Sequence, residues 1–290
     1  MEQSDINPRP FRVRKDPELK FNSSITVFGK RGTGKSFFIK WFLTNYKDIY
    51  PWYFVFTLTK FNNQYGSYLN NCYIYNGWKP DVVQLIMNRQ ELIRKIWQKN
   101  PKKINPLICV VLDDIIDQSF QWDSTMKRLY NNGRHYFITV IAASQVMTGY
   151  PPFVRKNTDL TVLFRLVDKS DRDMAFDCFG AGMDEKTFGD FLDTYTEDRG
   201  FISMLNDPNK PITDRFYYGK AEEVPYPIPL GCREYWEDNM IQYHEIRSGW
   251  YLKIDKAFDK AVTEVKKGPY EIEDKATLQK LSERGKNKPT

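Results

Sequence analysis

The sequence predicts an α/β protein with a mostly parallel central sheet and helices on both of its faces. Three observations point there. Five apolar runs of strand length alternate with segments of helical spacing, the pattern of right-handed βαβ units. Residues 29–36 (GKRGTGKS) make a glycine-rich turn between the first run and the first helical segment. The most apolar run, residues 107–112 (LICVVL), stops on Asp113-Asp114, and open sheets of this kind place ligand chemistry at the carboxyl ends of their strands.

Residues 1–20 read as a polar, proline-bearing leader without the apolar stretch of a signal peptide. Residues 24–28 (SITVF) are a short buried strand, and a helix starts at Lys35 with Phe38, Ile39, Phe42 and Leu43 on one face. Residues 52–57 (WYFVFT) are the next strand, and 60–78, rich in Asn, Tyr and Gly, form an irregular connection. A helix is expected over 81–98, with Val82, Leu85, Ile86, Leu92, Ile93 and Ile96 inward. After 107–112 come a helix over 124–132 and a strand over 137–143 (FITVIAA). Past the breaker Tyr150-Pro151-Pro152 a further strand covers 160–166. Residues 201–205 and 215–218 flank a turn-rich stretch and predict an edge hairpin. Residues 224–230 are a proline-fixed connector, 234–265 have patchy helical character, and 285–290 read as a disordered end. The expected organisation is a leader (1–20), a nucleotide-binding domain (21–220) and a small C-terminal extension (221–290) with a partly disordered basic tail.

The chain's 290 residues suffice for one large α/β domain with an appendage. Forty-three Lys and Arg against 37 Asp and Glu leave a net charge of +6, mild and compatible with a polyanionic partner. Cys72, Cys109, Cys178 and Cys232 stand far apart with no C-x-x-C pair, and His135 and His244 are the only histidines. That pattern argues against a zinc site or a disulfide framework and for a reducing, intracellular compartment. No window approaches the ~18 uninterrupted apolar residues of a membrane span. Basic residues interleave with aromatics over 47–60, 89–103 and 247–267, which a solvated charged face explains as well as nucleic-acid binding does.

The segment Gly29, Lys30, Arg31, Gly32, Thr33, Gly34, Lys35 and Ser36 satisfies G-x-x-x-x-G-K-[ST] in full. Its glycines let backbone N–H groups cradle phosphate oxygens, Lys35 supplies charge to the β- and γ-phosphates, and the Ser36 hydroxyl coordinates Mg²⁺. The context, an apolar strand before and an amphipathic helix after, is the one this mechanism needs. The chain therefore reads as a P-loop NTPase. The intervening strand 52–57 places it in the class with an extra strand between its two nucleotide-binding elements (the ASCE class). No Asn-Lys-x-Asp guanine signature is present, which favours ATP.

In such a site Asp113 holds Mg²⁺, and Asp114 stands where many members carry the glutamate that polarises the attacking water, unless it only caps the next segment. Gln145, closing its strand after Ser144, is placed to sense the γ-phosphate or is simply a loop residue. Arg134 is a candidate arginine finger toward a neighbouring subunit, with Arg155 and Arg165 as competitors and a solvated arginine as the plain alternative. His135 has no partner that would make it a general base.

Four segments in order, ITVFGKRGTGKSFFI, WYFVFT, LICVVLDDII and NNGRHYFITVIAASQ, span about residues 24–165. Together they resemble the genome-packaging ATPases of large DNA viruses of eukaryotes, poxvirus-type, a branch of the FtsK–HerA superfamily. The resemblance implies Lys35 and Ser36 on Mg·ATP, Asp113 and Asp114 at Walker B, and Gln145 as sensor. It also implies a homo-oligomeric ring of five or six subunits that drives double-stranded DNA into a capsid, with capsid or portal-site proteins as partners. Its place would be the host-cell cytoplasm, at the viral factory, or the virion. Aspartate at 114 departs from the glutamate of the wider superfamily. Two other function classes remain open: an ATP-switched assembly module, and a helicase or coupling ATPase of cellular type.

Overall fold

The computed structural model describes residues 6–60, 64–102, 104–180, 183–224 and 228–237. Nine strands form one sheet: β1 (Arg9–Pro10), β2 (Ser24–Phe28), β3 (Trp52–Thr57), β4 (Ile74–Asn76), β5 (Ile108–Asp113), β6 (Ile138–Ser144), β7 (Leu160–Leu163), β8 (Gly200–Leu205) and β9 (Phe216–Lys220). The order across the sheet is β1-β9-β8-β7-β2-β6-β5-β3-β4. All pairings are parallel except β7 with β8 and β8 with β9. β2, which feeds the glycine-rich turn, is flanked by β6 and β7, so β6 lies between it and β5. That is the strand order of the extra-strand P-loop class, as the sequence predicts.

Both sheet faces are covered by helices. Along β5, Ile108, Val110 and Leu112 enter one core with α2 (Pro80–Lys99) and α3 (Ser124–Asn132), while Cys109 and Val111 enter the other with α1 (Lys35–Asn45). This alternation is the period of two that a strand imposes. It explains why the run LICVVL is apolar throughout: both of its faces are buried. Phe38, Ile39, Phe42 and Leu43 of α1 are all buried, as the helical spacing predicts.

On α2 the inward face differs from the expected one. Val83, Ile86, Met87, Gln90 and Ile93 are buried, whereas Leu85 and Leu92 are 60% and 58% exposed. A polar residue holds the centre of the buried face: the Gln90 amide donates to the carbonyls of Pro106 and Tyr136, both at 2.8 Å. Two carbonyl partners remove the cost of burying that amide, so the face rotates to include it.

The connection over 60–78 contains β4, three residues paired in parallel with β3 and too short for any periodicity to show. Three helices that the sequence reading did not include are present: α4 (Pro152–Lys156), α5 (Lys169–Phe179) and α6 (Glu185–Tyr195). The predicted hairpin is present as β8 and β9, but it is not the edge of the sheet, because the two residues of β1 pair on the outer side of β9.

Packing continues past both expected domain limits. β1, inside the expected leader, pairs with β9, and Tyr235, Leu230 and Trp236, beyond residue 220, are buried in the α1-side core. Tyr235 stacks on Tyr73 and meets Trp52 edge-on. Asn70 Nδ2 donates to the Tyr235 carbonyl at 2.5 Å, and the Leu230 N–H donates to the Tyr68 carbonyl at 2.8 Å. The helical character expected over 234–265 lies almost wholly outside the described residues, as do the basic run 247–267 and the tail 285–290. No described helix is long and apolar enough to cross a membrane.

Candidate functional site

The carboxyl edge of β2, β6 and β5 carries the site. After β2 the chain turns through residues 29–34 and enters α1 at Lys35 with Gly34 at φ +119° as its cap. That backbone, and a β-carbon position 2.9 Å from the Phe164 ring, restrict the position to glycine. A β-carbon on Gly29 would lie 2.6 Å from both the Phe164 side chain and the Thr33 hydroxyl. The cap of α1 has no side-chain hydrogen bond, and its first turn has no acidic residue. Its N-terminal amides and dipole are therefore left to an anion.

Lys35 is 6% exposed, and its ammonium donates to the carbonyls of Gly29 at 2.6 Å and Lys30 at 3.1 Å. Burial lowers its pKa, against which the charges of Asp114 and Asp113 act. Asp113, the last residue of β5, is 4% exposed and accepts a hydrogen bond from the Tyr65 hydroxyl at 2.9 Å. Burial, helped by the charge on Asp114, pushes the Asp113 carboxyl up to about 6. Asp114 has left-handed backbone, φ +53°, and accepts from Gln145 Nε2 at 2.9 Å. The backbone N–H of Asp114 donates to the Ala143 carbonyl at 3.0 Å, which ties the ends of β5 and β6 together.

The residues present fit Mg·ATP. Two adjacent carboxylates, one of them buried with its ionised form disfavoured, gain from a divalent cation beside them. Asp114 Oδ1 is buried without a hydrogen-bond partner. Among the described residues no cluster of three or more His, Cys, Asp and Glu side chains could hold a metal by itself. Mg²⁺ needs none, since one or two carboxylates plus substrate phosphates hold it.

A cleft of about 720 Å³ unites most of the predicted residues: Arg31, Gly32, Gly34, Lys35, Ser36, Asp113, Asp114 and Gln145 all line it. Lys30 and Thr33 serve the loop from outside, Lys30 in an exposed ion pair with Asp168 and Thr33 through a hydrogen bond to the Lys30 carbonyl. Arg134 does not reach the cleft of its own chain. It is exposed in the turn Gly133–Tyr136, at the amino end of β6, with roughly 20 Å of strand between it and Gln145. Arg155 donates to the Tyr150 carbonyl, and Arg165 is exposed after β7.

Phe37, Thr59, Gln64 and Arg199 also line the cleft, and Tyr65 lies behind Asp113; sequence reasoning had not singled out any of these. Phe37 alone carried a signal, an aromatic on the exposed side of a helix otherwise well patterned.

Fold and site together define a P-loop NTPase of the extra-strand class. The sequence model of the poxvirus A32 protein family matches residues 11–176, more than half of the chain. The chain belongs to that family, as the resemblance predicts. It is 27% identical over 244 residues to uncharacterized protein 015R of Frog virus 3 (isolate Goorha), covering 82% of this chain and 73% of that one. It is also 27% identical over 257 residues to uncharacterized protein 075L of Invertebrate iridescent virus 6, covering 83% and 92%. Among solved structures, the genome packaging NTPase B204 of Sulfolobus turreted icosahedral virus 2, in complex with AMP, is similar with a TM-score of 0.50 and 14% identity. That likeness covers 70% of this chain and all of B204, and it concerns the fold.

Proposed function

We propose that the protein is a Mg²⁺-dependent ATPase that packages double-stranded viral DNA into a capsid. The observation that carries the reading is the convergence of Lys35 and Ser36 with Asp113 and the bonded pair Asp114–Gln145 in one cleft. Ser36 and Asp113 would hold Mg²⁺, which supplies charge neutralisation at the β- and γ-phosphates. Lys35 leaves the carbonyls of Gly29 and Lys30 for the phosphate oxygens. Asp114 orients the attacking water and takes its proton, and Gln145 reports loss of the γ-phosphate through its bond to Asp114. The family membership and the likeness to B204 support the packaging role.

In a ring of five or six subunits, Arg134 serves a neighbour's ATP, with Arg155 and Arg165 as alternatives. A position remote from its own cleft suits a residue that acts on another subunit. Capsid or portal-site proteins are the expected partners, in the host-cell cytoplasm or the virion.

The test is steady-state ATP hydrolysis with and without double-stranded DNA across a salt series, in wild type, Lys35→Ala and Asp114→Asn. DNA should stimulate turnover in a salt-sensitive way. Lys35→Ala should abolish turnover, and Asp114→Asn should lower it by ~10²–10⁴-fold. Near-normal turnover in Lys35→Ala would overturn the site, and indifference to DNA would overturn the translocase reading.

A further inference from the structure

Two consecutive residues other than glycine, Asp198 at φ +44° and Arg199 at φ +64°, hold left-handed backbone in the turn between α6 and β8. Such a pair is sterically unfavourable and persists only where its surroundings impose it. The surroundings do so here. At Gly200 the chain passes so close to the end of α6 that a β-carbon would lie 2.4 Å from the Tyr195 carbonyl oxygen. Asp198 is held by an ion pair with Lys220 of β9.

The turn fixes where Arg199 stands. β8 runs antiparallel to β7 with Ile202 opposite Leu163, and Leu163 lies opposite Phe28 of β2. The start of β8 therefore shares the carboxyl edge with the phosphate loop. There the Arg199 guanidinium lies over the Phe37 ring, 5.2 Å from its centre, and both residues line the cleft. Phe37 is 42% exposed in the first turn of α1, an unfavourable place for an aromatic ring unless something covers it. No hydrogen bond among the described residues ties down the guanidinium.

The cleft thus has two ends. Asp113, Asp114 and Gln145 come from β5 and β6 on one side of β2, and Arg199 comes from beyond β7 on the other. A nucleotide with its terminal phosphate at the carboxylate pair directs its base toward Arg199. We propose that Arg199, backed by Phe37, is the platform on which that base stacks; the inference rests on the ATP site proposed above. A guanidinium is planar, weakly hydrated and stacks on π-systems. The 5.2 Å spacing leaves no room for a ring between Arg199 and Phe37, so the base meets the outer face of the guanidinium.

The test compares binding of ATP and of inorganic tripolyphosphate to the full chain in wild type, Arg199→Gly and Arg199→Lys. Glycine accepts the left-handed backbone, so its variant keeps the turn while losing the side chain. In wild type ATP should bind about 10-fold or more tightly than tripolyphosphate, the worth of one stacked base. Arg199→Gly should abolish most of that advantage and leave tripolyphosphate affinity nearly unchanged. Arg199→Lys, charged but not planar, should lose the advantage as well. Equal weakening of both ligands would overturn the platform and make Arg199 a phosphate contact, and an ATP advantage kept in Arg199→Gly would overturn it too. If wild type binds neither ligand, the nucleotide site itself falls, and the platform with it.

Discussion

Gln145 Nε2 donates to Oδ2 of Asp114 at 2.9 Å, joining the tips of two neighbouring strands across the floor of the cleft. The bond orients a carboxylate whose other oxygen, Oδ1, has no hydrogen-bond partner. A single amide thus holds the group that we propose faces the attacking water.

Gln145→Ala should therefore lower the turnover of bound ATP by roughly 10²-fold while leaving ATP affinity nearly intact. Single-turnover hydrolysis beside equilibrium nucleotide binding separates the two effects. An equal loss in both would mean that Gln145 only shapes the pocket.

Asp113 makes the protein's stability depend on pH in an uncommon direction. Its carboxyl is pushed up from an ordinary 3.8 to about 6 in the folded state. The folded state thus holds that proton more tightly than the unfolded one, and stability from this group falls as pH rises through 4 to 6. Above pH 6 the ionised group costs on the order of 3 kcal/mol. Asp113→Asn should raise the melting temperature at pH 7.5 without nucleotide or Mg²⁺, and the gain should vanish near pH 4. Thermal unfolding across pH measures this; a lower melting temperature for the variant at pH 7.5 would contradict it.

Gly34→Ala should damage the loop more than its size suggests. The added methyl would meet the Phe164 ring at 2.9 Å in a backbone region that costs a side chain ~1–3 kcal/mol. ATP binding should weaken at least tenfold, while circular dichroism stays native. Wild-type affinity in this variant would show that the loop can relax.

Tyr235→Ala removes a fully buried ring packed on Trp52 and Tyr73 and should cost ~3–5 kcal/mol. In a domain of this size that lowers the melting temperature by roughly 10 °C. Tyr235→Phe, which loses only the hydroxyl accepting from the Asn70 N–H at 3.2 Å, should cost ~1 kcal/mol. An unchanged melting temperature in Tyr235→Ala would separate residues 228–237 from the folded unit.

The buried strands were legible because burial on both faces writes an unbroken apolar run, and the phosphate loop because its backbone demands glycines at fixed spacing. The predicted limits of β2 and β3 match the structure for that reason. The inward face of α2 was not legible, since Gln90 gains its place from the distant carbonyls of Pro106 and Tyr136. Arg199 and Tyr65 were hidden for a similar reason. An arginine before a glycine, or a tyrosine in a polar connection, has no local pattern, and only the chain's return to the sheet edge brings them to the cleft. Arg134 could be picked out beside the β6 strand, but its end of that strand could not be ranked against the cleft without the sheet.

The packing of Tyr235 has a mechanical meaning. Tyr65 holds Asp113 by its hydroxyl, and its carbonyl accepts the N–H groups of Tyr68 and Leu69 in the same tight turn. Tyr68 and Asn70 in turn grip Leu230 and Tyr235. A tether of hydrogen bonds therefore runs from Asp113 to Leu230 and Tyr235. Linkage is reciprocal, so any pull on Leu230 or Tyr235 that loosens Asp113 would be resisted by a cation bound there, as proposed above. Leu230 and Tyr235 are thereby strapped to the floor of the cleft, and tension on either one is felt at Asp113.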